Sequence, residues 1–113
     1  MSTWIQITPL QNIPLREGRC VTLGRKEIAV FHLPDKVLAI DNRCPHSQGP
    51  LCDGITTGTH VVCPLHGWKI DLETGMVARP DVPVGVKTYP CRVNSDGIVE
   101  IKVAATMEEE VAA

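Results

Sequence analysis

Two short stretches decide the fold of this chain: Cys44-Pro45-His46-Ser47-Gln48-Gly49-Pro50-Leu51 and Cys63-Pro64-Leu65-His66-Gly67-Trp68. Each stretch brings one thiolate and one imidazole close together, so two loops supply four ligands for a metal. A structural zinc of the finger type usually takes its cysteines from one segment and its histidines from the other. Here both segments are mixed, which favours a two-iron cluster with both cysteines on one iron and both histidines on the other. Zinc is the main alternative.

The residues beside these ligands favour tight, stiff loops. Pro45 and Pro64 directly follow the cysteines, where each fixes its own φ and removes one backbone N–H. Gly49 and Gly67 lie beyond the histidines, where the backbone has to turn closely around a bulky inorganic group.

The two stretches resemble the Rieske [2Fe–2S] family. That resemblance implies one [2Fe–2S] cluster as cofactor, with Cys44 and Cys63 on one iron and His46 and His66 on the other. It also implies an all-β fold, in which an antiparallel sandwich carries a small inserted cluster-binding subdomain. We therefore expect a Rieske domain over 1–103, with the cluster-binding part at about 41–80, and a flexible acidic tail over 104–113.

Composition limits the function classes. The chain has 113 residues and a net charge of −2, so it fits one domain and shows no basic field for nucleic acid or an anionic membrane. No apolar run approaches the roughly 20 residues that a membrane span needs. The N-terminus does not follow the pattern of a secretory signal. Respiratory Rieske proteins carry an N-terminal anchor that this sequence lacks, so we expect a soluble, cytoplasmic protein.

Alternation of apolar residues predicts strands and no helix inside the domain. Trp4–Thr8 begins the fold, and 19–23 pairs with 27–33, whose two apolar faces indicate a strand buried on both sides. Further strands are predicted at 37–40, 59–62 and 68–72 and from Met76, with an irregular connector at 79–86. The last hairpin is predicted as one strand over 87–93 and another over 98–103, with Val99, Ile101 and Val103 inward and Glu100 outward.

Three cysteines remain outside the motif, which fits a reducing compartment better than a disulfide framework. Cys91 shares a predicted strand face with Tyr89 and Val93, so a buried core thiol is expected. Cys20 falls on the strand face opposite Val21 and Leu23. Cys52 follows the first ligand loop, where a small packing residue is the expected role and a redox role the alternative.

The ligand set predicts an electron carrier with no catalytic residues. High-potential Rieske proteins place a disulfide between the two loops and have a serine and a tyrosine that donate to the cluster. By resemblance those positions are Gly49, Leu65, Trp68 and Ile70 in this chain, so we expect a potential near the low end of the Rieske range, about −150 mV. No carboxylate pair, Ser-His-Asp set or phosphate-binding glycine loop points to another activity.

Three hypotheses about the function stay open. The flanking phrases, such as Val37-Leu-Ala-Ile-Asp-Asn-Arg and Trp68-Lys-Ile-Asp-Leu-Glu-Thr-Gly, resemble the small subunits of assimilatory NAD(P)H nitrite reductases. That resemblance implies a large flavin and sirohaem subunit as partner, in the reduction of nitrite to ammonium during nitrate assimilation. A ferredoxin serving a ring-hydroxylating dioxygenase and its reductase is the alternative. A zinc-stabilised or apo binding module is the third reading.

Other polar residues near the motif are assigned structural roles. His60 is expected at the surface or hydrogen-bonded, His32 packed, and Trp68 over the cluster or in the core. We expect three cationic side chains near the loops to be solvated: Arg43, Lys69 and Arg79.

Overall fold

The computed structural model describes residues 2–24, 26–44, 50–64, 67–78 and 84–104. Over these residues it contains ten strands: β1 Ser2–Pro9, β2 Gly18–Leu23, β3 Lys26–Leu33, β4 Lys36–Asp41, β5 Ile55–Thr57, β6 His60–Val62, β7 Lys69–Asp71, β8 Thr88–Tyr89, β9 Cys91–Val93 and β10 Ile98–Ala104. In the same ranges, helical structure is limited to two three-residue 3-10 helices, Leu10–Asn12 and Leu51–Asp53. The predicted all-β class is confirmed.

The strands form three antiparallel sheets. One base sheet has the order β1-β10-β9 and the other has the order β2-β3-β4-β8. The third sheet, β5-β6-β7, comes from the middle of the chain and carries the second ligand loop. The chain therefore has the predicted arrangement, in which two base sheets support a smaller sheet inserted between β4 and β8.

Strand β3 separates two hydrophobic cores. Its alternate residues Ile28 and Val30 pack into one core, and Ala29, Phe31 and Leu33 pack into the other. All five are at most 2% exposed, which confirms a strand buried on both faces.

The core between the base sheets, called the base core here, comprises Ile13, Leu23, Ile28, Val30, Ala39, Tyr89, Val99, Ile101 and Val103. The other, called the site core, comprises Ala29, Phe31, Leu33, Ile40, Cys44, Leu51, Val61, Cys63, Ile70, Leu72 and Val77. Because both cores take residues from β3 and β4, these two strands join the cluster-binding part to the base.

The predicted strand over 87–93 is wrong, because the chain changes sheets at Pro90. Thr88–Tyr89 pairs with β4, whereas Cys91–Val93 pairs with β10. Proline has no N–H to donate to a ladder, so the pairing breaks there. As a result Val93 is 39% exposed and does not share the buried environment of Tyr89, while Cys91 is half-buried against the base core.

Glu100 was expected to face solvent, yet it is only 8% exposed. The Arg92 Nε donates to its carboxylate at 2.8 Å, and Asn94 donates to the second oxygen at 3.2 Å. Arg92 also stacks on Trp4, with the guanidinium carbon 3.9 Å from the ring centroid. The Arg92 hydrogen bond, followed by that from Asn94, lowers the pKa of Glu100.

Smaller differences lie around the third sheet. The sequence did not predict strand β5 or the 3-10 helix Leu51–Asp53. Strand β5 is a three-residue edge strand whose Ile55 is 76% exposed, so its sequence shows no apolar alternation. The strand predicted from Met76 is replaced by isolated bridges, Ile70 with Val77 and Met76 with Gly85. The connector residues 79–83 and the tail beyond Ala104 lie outside the described residues.

Among the described residues, no helix has the length and apolar character required to cross a membrane.

Candidate metal centre

The two predicted ligand cysteines lie in one packed environment. Cys44 is 1% exposed and Cys63 is 2% exposed, although they are distant in the sequence and follow different strands. Both belong to the site core, together with apolar side chains such as Leu51 and Val61. Both soft sulfur donors are therefore shielded from water within the same core.

The first ligand loop is closed at its base by Asn42. The Leu51 N–H donates to the Asn42 backbone carbonyl at 2.8 Å, and the Cys52 N–H donates to the Asn42 Oδ1 at 2.8 Å. An isolated bridge between Arg43 and Pro50 lies directly above these bonds. Asn42 is 4% exposed, so its carboxamide is a buried structural element that fixes both ends of the loop.

The second ligand loop joins β6 and β7. The Cys63 N–H donates to the Trp68 carbonyl at 2.7 Å, and the Gly67 N–H donates to the Cys63 carbonyl at 3.0 Å. Gly67 has φ of +72°, a left-handed conformation that glycine adopts without a steric penalty. These bonds hold Cys63 at the start of a tight turn.

A further segment flanks β7 on its outer side. The Ala78 N–H donates to the Lys69 carbonyl at 2.8 Å, and the Val86 N–H donates to the Gly75 carbonyl at 2.7 Å. Gly75 has φ of +79°, and a β-carbon there would lie 2.2 Å from the Val86 carbonyl oxygen. A glycine is therefore required where this segment turns away from β7.

The described donors fit an iron–sulfur group. Two buried thiols, each at the end of a hydrogen-bonded loop, are the soft ligands that such a group requires. The two predicted histidine ligands, His46 and His66, lie outside the described residues, as do Gly49 and Leu65. The ligand set Cys44, His46, Cys63 and His66 thus stays a prediction.

A family comparison identifies the domain. Residues 3–102 match the family described as the Rieske-like [2Fe–2S] domain. The chain belongs to this family. Its cofactor is accordingly one [2Fe–2S] cluster, and it is a Rieske-type electron-transfer protein, which favours iron–sulfur over the zinc alternative.

Curated relatives of this Rieske domain include dioxygenase ferredoxins. The naphthalene 1,2-dioxygenase ferredoxin component of Pseudomonas aeruginosa is 31% identical, over 85% of this chain and 92% of the relative. The anthranilate 1,2-dioxygenase ferredoxin subunit of Burkholderia cepacia is 31% identical, over 91% of this chain and 94% of the relative.

Solved structures with the same fold include a NADH-dependent nitrite reductase small subunit from Mycobacterium tuberculosis. It is 26% identical with a TM-score of 0.84, covering 93% of this chain and 98% of that one. A Sphingomonas yanoikuyae ferredoxin is 28% identical with a TM-score of 0.79, covering 90% of this chain and 100% of that one.

The surroundings of the two thiols in this Rieske domain are apolar. Ile70 is fully buried in the site core, so the position that resemblance equates with a tyrosine donor offers no hydroxyl. Trp68 is partly buried and packs against the same core. A reduced cluster carries more negative charge, so apolar neighbours such as the described Ile70 favour a low potential.

The other polar residues near the motif were expected to have no direct role at the metal centre. The His32 Nδ1 lies 2.7 Å from the Ile13 carbonyl oxygen, as expected of a packed histidine. The His60 Nε2 lies 3.9 Å from Asp71 in a half-exposed site. Arg43 pairs loosely with Glu27 at 3.7 Å. Lys69 is exposed, and Arg79 lies outside the described residues.

Of the three remaining cysteines, Cys91 is a half-buried thiol whose burial raises its pKa to about 12. Cys20 lies on the exposed face of β2, as the alternation predicted. Cys52 is partly buried against the site core, and burial, reinforced by the charge of Asp53, raises its pKa to about 11.

Sequence reasoning missed Asn42 as a functional residue. Its position directly after β4 and before the ligand loop was visible in the sequence. However, nothing in the alternation shows that its side chain turns inward to bind Cys52.

Proposed function

We propose that this Rieske domain is the ferredoxin component of a ring-hydroxylating dioxygenase system, carrying one electron at a time from a reductase to the terminal oxygenase. The support is sequence similarity across nearly whole chains to ferredoxin components of dioxygenases that act on naphthalene and anthranilate. A further structure of the same fold, 25% identical with a TM-score of 0.77, is a ferredoxin from a complex with the oxygenase of carbazole 1,9a-dioxygenase.

The proposal includes the ligand set Cys44, His46, Cys63 and His66. The single observation that supports it is that Cys44 and Cys63 are both nearly inaccessible to solvent and belong to the same site core. The two histidines follow these cysteines closely in the sequence, so the same two loops would supply the nitrogen donors.

The bound [2Fe–2S] cluster supplies reversible one-electron chemistry. The protein residues hold and insulate it. Asn42 closes the first loop, the Cys63–Trp68 hydrogen bond closes the second, and the site core excludes water from the sulfur side. Hydrogen bonds that fix the bases of both loops limit the rearrangement when the charge changes, which suits a carrier.

The second candidate function is the small subunit of an NAD(P)H-dependent nitrite reductase. The observation that favours it is the fold comparison, in which the Mycobacterium tuberculosis small subunit has a higher TM-score, 0.84, than the carbazole 1,9a-dioxygenase ferredoxin, 0.77, or the Sphingomonas yanoikuyae ferredoxin, 0.79. The phrase similarity noted in the sequence points the same way. In that case the partner would be a large flavin and sirohaem subunit.

Electron-transfer kinetics with isolated partners test the proposal. The holoprotein is reduced anaerobically and mixed, in separate experiments, with a purified Rieske oxygenase and with a purified nitrite reductase large subunit. Rapid reoxidation by the oxygenase alone supports the ferredoxin function. Reoxidation by, or stable co-purification with, only the nitrite reductase subunit overturns it and supports the second candidate.

A further inference from the structure

Two cysteines outside the proposed ligand set lie side by side next to the first ligand loop. Cys20 is on β2 and Cys52 is in the 3-10 helix Leu51–Asp53. The Asn42 carboxamide spans the pair, since its Nδ2 lies 3.3 Å from the Cys20 sulfur and its Oδ1 accepts the Cys52 N–H at 2.8 Å. Both cysteines therefore contact the same buried carboxamide, Cys20 through its sulfur and Cys52 through its backbone N–H.

The backbone around the pair is built for close approach. A β-carbon on Gly18 would lie 3.1 Å from the Cys52 carbonyl oxygen and 2.6 Å from the Phe31 ring. A glycine at this position therefore lets β2 pack directly on the 3-10 helix. The 3-10 helix packs on the site core through Leu51, and β2 pairs with β3, whose Phe31 belongs to the same core, so both cysteines have well-packed neighbours.

The pair is accessible to small reagents. Cys20 is exposed and Cys52 is partly buried, and both line a surface pocket with Glu17, Arg19 and Asp53. The remaining spare thiol, Cys91, packs against the base core and does not line this pocket. An oxidant would therefore reach Cys20 first and find Cys52 next to it.

We propose that Cys20 and Cys52 form an oxidisable dithiol that closes an intramolecular disulfide between β2 and the base of the first ligand loop. With a small-molecule disulfide as oxidant, the Cys20 thiolate attacks one of its sulfurs, and one small thiol leaves. The Cys52 thiolate then attacks Cys20 in the mixed disulfide, and the second small thiol leaves. Two cysteines lose two protons and two electrons, and the oxidant gains both.

The surroundings of the two thiols determine the rate of the thiol–disulfide exchange. Burial, then Glu27, raises the pKa of Cys20, and burial, then Asp53, raises the pKa of Cys52. Of the other charged groups lining the pocket, Glu17 is paired with Arg19 at 3.2 Å. Since only thiolates attack, the exchange is slow at neutral pH and becomes faster as the pH rises.

Oxidised glutathione added to the holoprotein tests the proposal, with intact mass and peptide mapping as readouts. The expected wild-type product has lost two hydrogens and two titratable thiols, and yields a peptide in which Cys20 is linked to Cys52. The Cys52→Ser variant should instead retain one glutathione on Cys20. The Cys91→Ser variant, the matched control, should cross-link like the wild type.

Two outcomes would overturn the proposal. One is a wild-type protein that keeps a glutathione adduct on Cys20 as persistently as Cys52→Ser does. The other is a wild-type protein whose thiols stay unmodified at pH 9 while the exposed thiol of a reference peptide reacts. Neither outcome depends on electron transfer, so the proposed function can fail without affecting this test.

Discussion

Replacing Asn42 by alanine should loosen the hold on the first ligand loop. The variant removes the acceptor of the Cys52 N–H and the donor to the Cys20 sulfur. An unpaired, largely buried N–H costs about 1–3 kcal/mol, and the weaker bond to sulfur adds little. For a cost of about 2 kcal/mol, opening of the loop becomes about 25-fold more frequent, since about 1.4 kcal/mol is a factor of ten.

The assay is loss of visible absorbance from the holoprotein in the presence of an iron chelator, with circular dichroism to verify that the variant is folded. Asn12→Ala is the matched control, because Asn12 makes one exposed side-chain bond, to Thr8 at 3.0 Å, far from the metal centre in the sequence. We expect Asn42→Ala to lose colour roughly 5- to 100-fold faster than Asn12→Ala. Equal rates for the two variants would refute the role assigned to Asn42.

Three further perturbations follow from the fold. Because the folded-state pKa of Glu100 is lowered, its stabilising effect is present above its ordinary pKa of about 4.5 and is lost as the pH falls through the lowered value. The difference in melting temperature between wild type and Glu100→Gln should therefore be constant near neutral pH and shrink below pH 4.5; a difference that grows in acid contradicts this. Gly75→Ala should melt at least about 5 °C below Gly58→Ala, because both glycines have positive φ but only a β-carbon at Gly75 meets the backbone; equal melting temperatures would exclude the clash. Closing the disulfide between Cys20 and Cys52 should stabilise the protein by up to about 4 kcal/mol through the unfolded state, and a melting temperature unchanged by oxidation would argue against this gain.

The features that the sequence predicted well are those with local signals. The two ligand stretches contain their donors within a few residues, so their spacing predicted a metal centre, and their resemblance to the Rieske family, which the family match confirms, predicted its type. Strand β3 has apolar residues at consecutive positions, which correctly placed it between two packed layers. The alternation over Val99, Ile101 and Val103 likewise predicted the inward face of β10, and all three are at most 1% exposed.

The features that it missed depend on contacts between distant segments. Pro90 was visible, but its consequence, a change of sheet between β8 and β9, depends on where β4 and β10 lie. Similarly, no local pattern indicates that Cys20 meets Cys52 or that Asn42 turns inward, because the contact is made across β2, β4 and a 3-10 helix. Glu100 alternates with inward apolar residues, which predicted a side chain facing solvent. Instead Arg92, which stacks on Trp4, donates a hydrogen bond to the Glu100 carboxylate.

The most direct test of the account is pulsed electron paramagnetic resonance of the dithionite-reduced holoprotein. Ligation by Cys44, His46, Cys63 and His66 predicts a two-iron signal with two strongly coupled histidine nitrogens. A two-iron signal without coupled nitrogens would indicate a cluster held by cysteines alone. Purified protein that lacks iron and labile sulfide after anaerobic reconstitution would contain no iron–sulfur cluster. Either result would contradict the proposed centre.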